Sequence, residues 1–107
     1  MEETFPSGSG PTPAPVRSRN AAAVSLQTIA ESQHAAGELE LAAASVERAL
    51  RIDSRDPQLW LLLARIRLDQ GEPGQAAGLA RRAETLAAPG SETAAEARAL
   101  AARVAGR

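Results

Sequence analysis

Apolar residues recur every three or four positions along most of this chain, which is the spacing of one face of an α-helix. The stripe is clearest between residues 38 and 52, where Leu39, Ala42, Ala43, Val46, Ala49 and Leu50 fall on one helix face. The same kind of pattern predicts further helices on both sides of this segment. We therefore predict an all-α fold of five short helices, at about 20–36, 38–52, 57–70, 73–87 and 91–105.

Residues that favour helix ends fall between the predicted helices. Asn20, Asp56 and Ser91 are suited to N-caps, because their side-chain oxygens can accept hydrogen bonds from free backbone N–H groups. Gly37 and Gly71 are suited to the left-handed turn that ends a helix. These residues divide the helical part of the chain into segments joined by short turns.

Three pairs of small residues recur at one interval of 34 positions: Gly37 and Gly71, Ala42 and Ala76, Ala49 and Ala83. An internal period of this kind is typical of proteins built from stacked helical hairpins. One hairpin cannot bury its own apolar face, so successive hairpins cover one another.

The second unit of the period, residues 57–90, resembles a tetratricopeptide repeat (TPR), at Trp60, Leu63-Ala64, Gly71, Ala76 and Ala83. The first unit, residues 23–56, is similar to the same pattern at Leu26, Ile29-Ala30, Gly37, Ala42, Val46 and Ala49. The match has departures. The tyrosine that the family carries late in the first helix is Gln33 in one unit and Arg67 in the other.

This resemblance implies a TPR-like superhelix in residues 20–107. Its parts would be two helical hairpins, at about 23–56 and 57–90, and a capping helix at 91–105. We expect Trp60, the largest apolar side chain, to be buried between the two hairpins. Residues 1–19 are rich in Pro, Gly and Ser. That composition predicts a disordered linker or tail, with a spacer or a peptide ligand as functional alternatives.

Members of the TPR family bind partner segments on the face of their first helices. The resemblance therefore implies a non-catalytic protein-interaction module or scaffold, whose partner-binding groove would contain Gln27, Glu31, His34, Leu61, Leu62, Arg65, Leu68 and Asp69. A second hypothesis is a structural module that homodimerises through Leu61, Leu62, Leu68 or the fifth helix, within a larger envelope complex. Two repeats fall below the roughly three that are usually needed for stability.

Two features of this groove stay open at this point. The leucines at 61, 62 and 68 lie outside the main apolar stripe of the third helix, and either burial within the chain or contact with a partner would explain them. Arg65 is the one arginine of the predicted groove, and we expect it to pair with Asp69, one helical turn away.

The sequence provides no catalytic or cofactor chemistry that we can identify. The chain has no cysteine and one histidine, His34, so no His/Cys set exists for a tetrahedral metal site. We expect His34 to be a solvent-facing residue near a helix end, and we predict no enzyme activity, no cofactor and no metal. A net charge of −1 gives no reason to expect a nucleic-acid partner.

Localisation stays undetermined. No run of 18 apolar residues occurs, and the acidic start Met1-Glu2-Glu3 is unlike a signal peptide. We therefore expect no direct membrane insertion. The chain is expected to be cytoplasmic if Met1 is its natural start. If an N-terminal signal or anchor has been removed, the bacterial periplasm or envelope is favoured.

Overall fold

The computed structural model describes residues 18–106, and the described residues form five α-helices. They are α1 (Ala21–Ala35), α2 (Leu39–Ile52), α3 (Pro57–Asp69), α4 (Pro73–Leu86) and α5 (Glu92–Ala105). The all-α prediction is confirmed, and each predicted helix begins and ends within two residues of the observed one. Most of the predicted linker, residues 1–17, lies outside the described residues.

The predicted caps explain why the helices begin where they do. The Asn20 side chain accepts hydrogen bonds from the backbone N–H groups of Ala22 and Ala23. The carboxylate of Asp56 and the hydroxyl of Ser91 make the equivalent bonds at α3 and α5. At the other ends, Gly37 and Gly71 have φ angles of 81° and 79°, a conformation that suits glycine because it has no Cβ.

The helices form two antiparallel hairpins, α1–α2 and α3–α4, and α5 packs against α4 and α3. The first core cluster lies within the α1–α2 hairpin and between it and α3, and includes Ala30, Val46, Leu50, Leu59 and Ile66. A second cluster joins the second hairpin to α5. The predicted architecture of two hairpins followed by one further helix is therefore what the chain adopts.

Residues related by the 34-residue interval are buried alike at the helix crossings. Ala30 and Ala64, Ala42 and Ala76, and Ala49 and Ala83 are all fully buried, with 0% exposure. A methyl side chain at each crossing lets the two helix backbones of a hairpin approach closely. The repeated alanines thus determine how each hairpin closes.

The two positions at which the tetratricopeptide pattern would place a tyrosine form polar contacts. Gln33 accepts a hydrogen bond of 2.7 Å from the hydroxyl of Ser45, across the α1–α2 hairpin. Arg67 forms an ion pair of 3.0 Å with Glu47, which links α3 to α2. At both positions a polar pair connects two helices.

Trp60 lies at the rim of the core, where it packs between the two hairpins as expected but is covered less completely than a central core residue. Its ring packs against both core clusters but is only partly buried. The indole N–H donates a hydrogen bond of 2.8 Å to the backbone oxygen of Ser54. The guanidinium of Arg82 lies 4.8 Å from the ring centre. The polar edge of the indole holds the side chain near the surface, because its N–H needs an acceptor.

Candidate partner-binding cleft

A cleft of about 240 Å³ lies over α3, between α1 and α5, and the structure brings five of the eight predicted groove residues together around it. These five are Gln27, Glu31, Leu61, Leu62 and Arg65. Four more residues complete the lining: Gln58, Glu92, Thr93 and Glu96. The first helices of both hairpins therefore line this cleft together with the fifth helix.

Leu61 and Leu62 form the apolar floor of the cleft, and both are buried within the chain, at 3% and 5% exposure. Leu61 packs in the cluster that contains Ala97 and Leu100 of α5, while Leu62 belongs to the first core cluster. This burial decides between the alternatives that the sequence left open. Homodimerisation through these two leucines would need them at a surface, so that version of the self-assembly hypothesis is wrong.

Polar side chains from α1 and α3 form one side of the cleft. The Gln27 amide nitrogen donates a hydrogen bond of 2.9 Å to a carboxylate oxygen of Glu31, one turn further along α1. The Gln27 carbonyl oxygen accepts a hydrogen bond from Arg19. These contacts orient the amide, so that Gln27 is held in place along the rim.

Arg65 forms an ion pair with Glu96 of α5, with 2.9 Å between Nη2 and Oε1. The expected pairing with Asp69 on the same helix was wrong. Helix α5 packs beside α3 and brings a carboxylate to the side of α3 that carries Arg65. Both side chains remain over 40% exposed, so the pair bridges two helices at the surface, and ion pairs of this kind add little to stability.

The cleft carries an excess of negative charge. Glu31, Glu92 and Glu96 line it, against the single positive charge of Arg65. Arg65 is already paired with Glu96. The carboxylates that can interact with an incoming group are therefore those of Glu31 and Glu92. Such a cleft favours cationic groups and hydrogen-bond donors over carboxylates.

The other three predicted groove residues lie outside this cleft. His34 at the end of α1 contacts Asp69 at the end of α3, with 2.6 Å between Nε2 and Oδ2. His34 lies in the last turn of α1, as expected, and this contact leaves its side chain 23% exposed. The contact joins the two hairpins at the ends of their first helices. Leu68 is partly buried against the second core cluster.

Sequence reasoning missed the contribution of α5 to the cleft. Glu96 lies four residues after Glu92 and three after Thr93, so it shares a helix face with both, and this spacing was a usable signal. The repeat alone could not place that face, because α5 follows the two units and has no counterpart in them.

Within residues 18–106, no group of three or more His, Cys, Asp or Glu side chains is placed to hold a metal ion. The same residues include no helix that is both long and apolar enough to cross a bilayer.

No protein-family model matches the chain, and no curated protein matches it either. Among solved structures, the globular C-terminal domain of P. aeruginosa LpoP is similar, with a TM-score of 0.77 and 37% sequence identity. The match covers 81% of this chain and 82% of that domain. The two chains thus share both their helical fold and more than a third of their aligned residues. The chain therefore belongs to the same family as the globular C-terminal domain of LpoP.

Proposed function

We propose that this chain is a non-catalytic protein-binding domain, and that the cleft between α1, α3 and α5 holds a segment of a partner protein. The observation that carries the proposal is the convergence of the first helices of both hairpins, together with α5, on one cleft lined mainly by polar and charged side chains. In binding sites a few placed polar groups of this kind fix the orientation of a ligand.

The charge of the cleft suggests the chemistry of the partner. Glu31 and Glu92 offer carboxylates, and Gln27 and Gln58 offer amides. A partner segment with arginine, lysine or backbone N–H groups would satisfy them. A segment that ends in a free carboxylate would meet an excess of negative charge, and its one possible partner, Arg65, is already paired with Glu96.

The likeness to LpoP supports the view of a domain within a larger arrangement, since the similar structure is the C-terminal domain of its protein. We propose the same organisation here, with residues 1–19 as a linker and residues 20–107 as the binding domain. The bacterial envelope is the setting that we favour, because a Pro-rich spacer ahead of a small helical domain suits a protein that must reach a partner at a distance.

We also propose that the two hairpins are tetratricopeptide-type repeats, with units at about 23–56 and 57–90 and a capping helix at 91–105. The 34-residue interval, the matched glycine turns and the matched buried alanines support this proposal. A third or later unit would continue from the α4 side, which α5 occupies in the present chain.

Site-specific photocrosslinking in the source cell would test the proposed cleft. A photoreactive side chain is placed at Glu31 or Thr93, on opposite sides of the cleft, and adducts are identified by mass spectrometry. Both positions are expected to capture the same partner protein, and a partner peptide crosslinked at both sites would have to lie in the cleft.

A matched control carries the same photoreactive group at Arg81, an exposed position of α4 outside the cleft. We expect no adduct with that partner from Arg81. A partner captured equally from all three positions would contradict a binding site in the cleft, and so would the absence of any adduct at Glu31 and Thr93.

A further inference from the structure

The second helices of the two hairpins carry a group of exposed arginines. Two lie in the last turns of α2, one lies in the turn that follows it, and two lie in α4. They are Arg48, Arg51, Arg55, Arg81 and Arg82. Within residues 18–106, none of the five forms an ion pair. We name this set the arginine face.

The carboxylates beside the arginine face are engaged by other parts of the domain. Glu47 of α2 forms its ion pair with Arg67 of α3. Glu84 of α4 forms its ion pair with Arg98 of α5. Asp53 accepts a hydrogen bond from the backbone N–H two residues further on. The face as a whole is therefore strongly positive.

Contacts around Trp60 bring these arginines to the same side of the domain. The guanidinium of Arg82 lies 4.8 Å from the centre of the Trp60 ring. The indole N–H is bonded to the backbone oxygen of Ser54, the residue before Arg55. Arg51 precedes Ser54 by three residues, in the last turn of α2. The end of α2, the turn and α4 thus meet at one partly exposed tryptophan.

The arginine face lies away from the acidic cleft. The cleft is lined by α1, α3 and α5, whereas the arginines belong to α2, α4 and the turn between α2 and α3. Each second helix packs behind the first helix of its own hairpin. The domain therefore carries negative charge on one side and positive charge on the other.

We propose that the arginine face adsorbs to the surface of an anionic lipid bilayer. Each arginine that comes close to such a surface strengthens binding by roughly fivefold, so five arginines hold the domain there reversibly. The partly exposed indole of Trp60 suits the headgroup region, because its ring is apolar and its N–H is polar. Adsorption of this kind needs no membrane-spanning helix, and it leaves the cleft open on the far side.

The layout of the arginines favours a bilayer over an acidic protein segment. None of the five lines the cleft between α1, α3 and α5, or the grooves beside Leu39 and Leu63. A bound segment would need a groove to hold it. A bilayer presents many phosphates in one plane, so it requires only that the positive charges share one side of the domain.

Co-sedimentation of the full chain with vesicles tests the proposal. The anionic vesicles contain phosphatidylglycerol and phosphatidylethanolamine in equal amounts, and vesicles of phosphatidylcholine alone are the neutral control. We expect the chain to sediment with the anionic vesicles at low salt and not with the neutral ones. Raising the salt to about 0.5 M should release it, because screening is then strong.

Charge reversals at matched positions locate the contact. Arg51→Glu and Arg81→Glu are each expected to weaken binding to the anionic vesicles about tenfold. Arg103→Glu changes the net charge equally, but at an exposed position near the end of α5. It is expected to weaken binding by less than about twofold. Because all three positions are exposed, the helical circular dichroism signal serves as the folding control.

Trp60 reports which surface touches the bilayer, because the chain has one tryptophan and no tyrosine. A nitroxide label on the lipid headgroup quenches indole fluorescence at short distance. We expect labelled anionic vesicles to quench Trp60, and labelled neutral vesicles to leave its fluorescence unchanged.

Several results would overturn the proposal. They are a chain that stays in solution with anionic vesicles, binding that Arg51→Glu and Arg81→Glu leave unchanged, and binding without quenching of Trp60. A chain that binds soluble polyglutamate but not the vesicles would identify an acidic protein segment as the partner instead. These variants lie outside the cleft, so none of these results decides what the cleft binds.

Discussion

The buried carboxylate of Asp56 accepts a hydrogen bond of 2.8 Å from Arg19, so the residue that starts α3 is also bonded to the segment before α1. Oδ1 of Asp56 accepts from the backbone N–H of Gln58, and Oδ2 accepts from Arg19. Asp56 is 1% exposed, which makes these contacts important, because a buried charge without partners is costly. The relationship joins the beginning of the domain to the junction between the two hairpins.

Replacing Arg19 should destabilise the domain although Arg19 lies outside every helix. Arg19→Gln leaves the Asp56 carboxylate buried without its cation, and we expect a loss of about 1–3 kcal/mol in the free energy of unfolding. The figure is below the full cost of breaking a buried pair because the Arg19 side chain is 27% exposed. Urea titration followed by circular dichroism measures the change.

Arg51→Gln is the matched control for this prediction, since Arg51 is an exposed residue of α2. It is expected to change stability by less than about 0.5 kcal/mol. An equal effect of the two substitutions would mean that Arg19 does not support Asp56 in solution.

Gly71 and Gly78 should respond in opposite directions to substitution by alanine. Neither has an atom within 4 Å of where a Cβ would lie, so packing does not distinguish them. Gly71 has a φ of 79°, and Gly71→Ala is expected to cost about 1–2 kcal/mol. Gly78 lies inside α4, and Gly78→Ala is expected to stabilise the protein by roughly 0.5–1 kcal/mol. Thermal unfolding of the two variants side by side gives the comparison, and a shift in the same direction would contradict it.

Removing the hydroxyl of Ser91 should loosen α5. That hydroxyl accepts a hydrogen bond of 3.1 Å from the backbone N–H of Ala94. Ser91→Ala is expected to cost about 1 kcal/mol. Amide hydrogen exchange should quicken in the first turn of α5, where the cleft residues Glu92 and Thr93 lie. Thr93→Ala, two residues further on, leaves the cap intact and is expected to leave exchange in this turn unchanged.

Trp60 should contribute to the stability of the fold through both its ring and its indole N–H. Two substitutions can separate these contributions. Trp60→Phe keeps an aromatic ring but loses the hydrogen bond to Ser54, and we expect a cost of about 1–2 kcal/mol. Trp60→Ala also removes the contacts with both core clusters, and its cost should reach about 3 kcal/mol. Chemical denaturation resolves the two values. Equal costs would show that the ring adds nothing to the packing of the second hairpin on the first.

The sequence by itself determined the helices and their pairing into hairpins. Apolar spacing, capping side chains and glycines act within a few residues, so they could be interpreted along the chain. The repeated alanines predicted which helices pair, because small residues at fixed intervals mark where two helix backbones meet.

Only the tertiary structure decided which charges meet and which leucines are covered. Arg65 pairs with Glu96 and not with Asp69, because α5 lies beside α3 and offers a carboxylate there. Leu61 and Leu62 are buried because neighbouring helices pack against them. Contacts between helices depend on how the hairpins and α5 pack in three dimensions, and the spacing of residues within one helix does not contain that information.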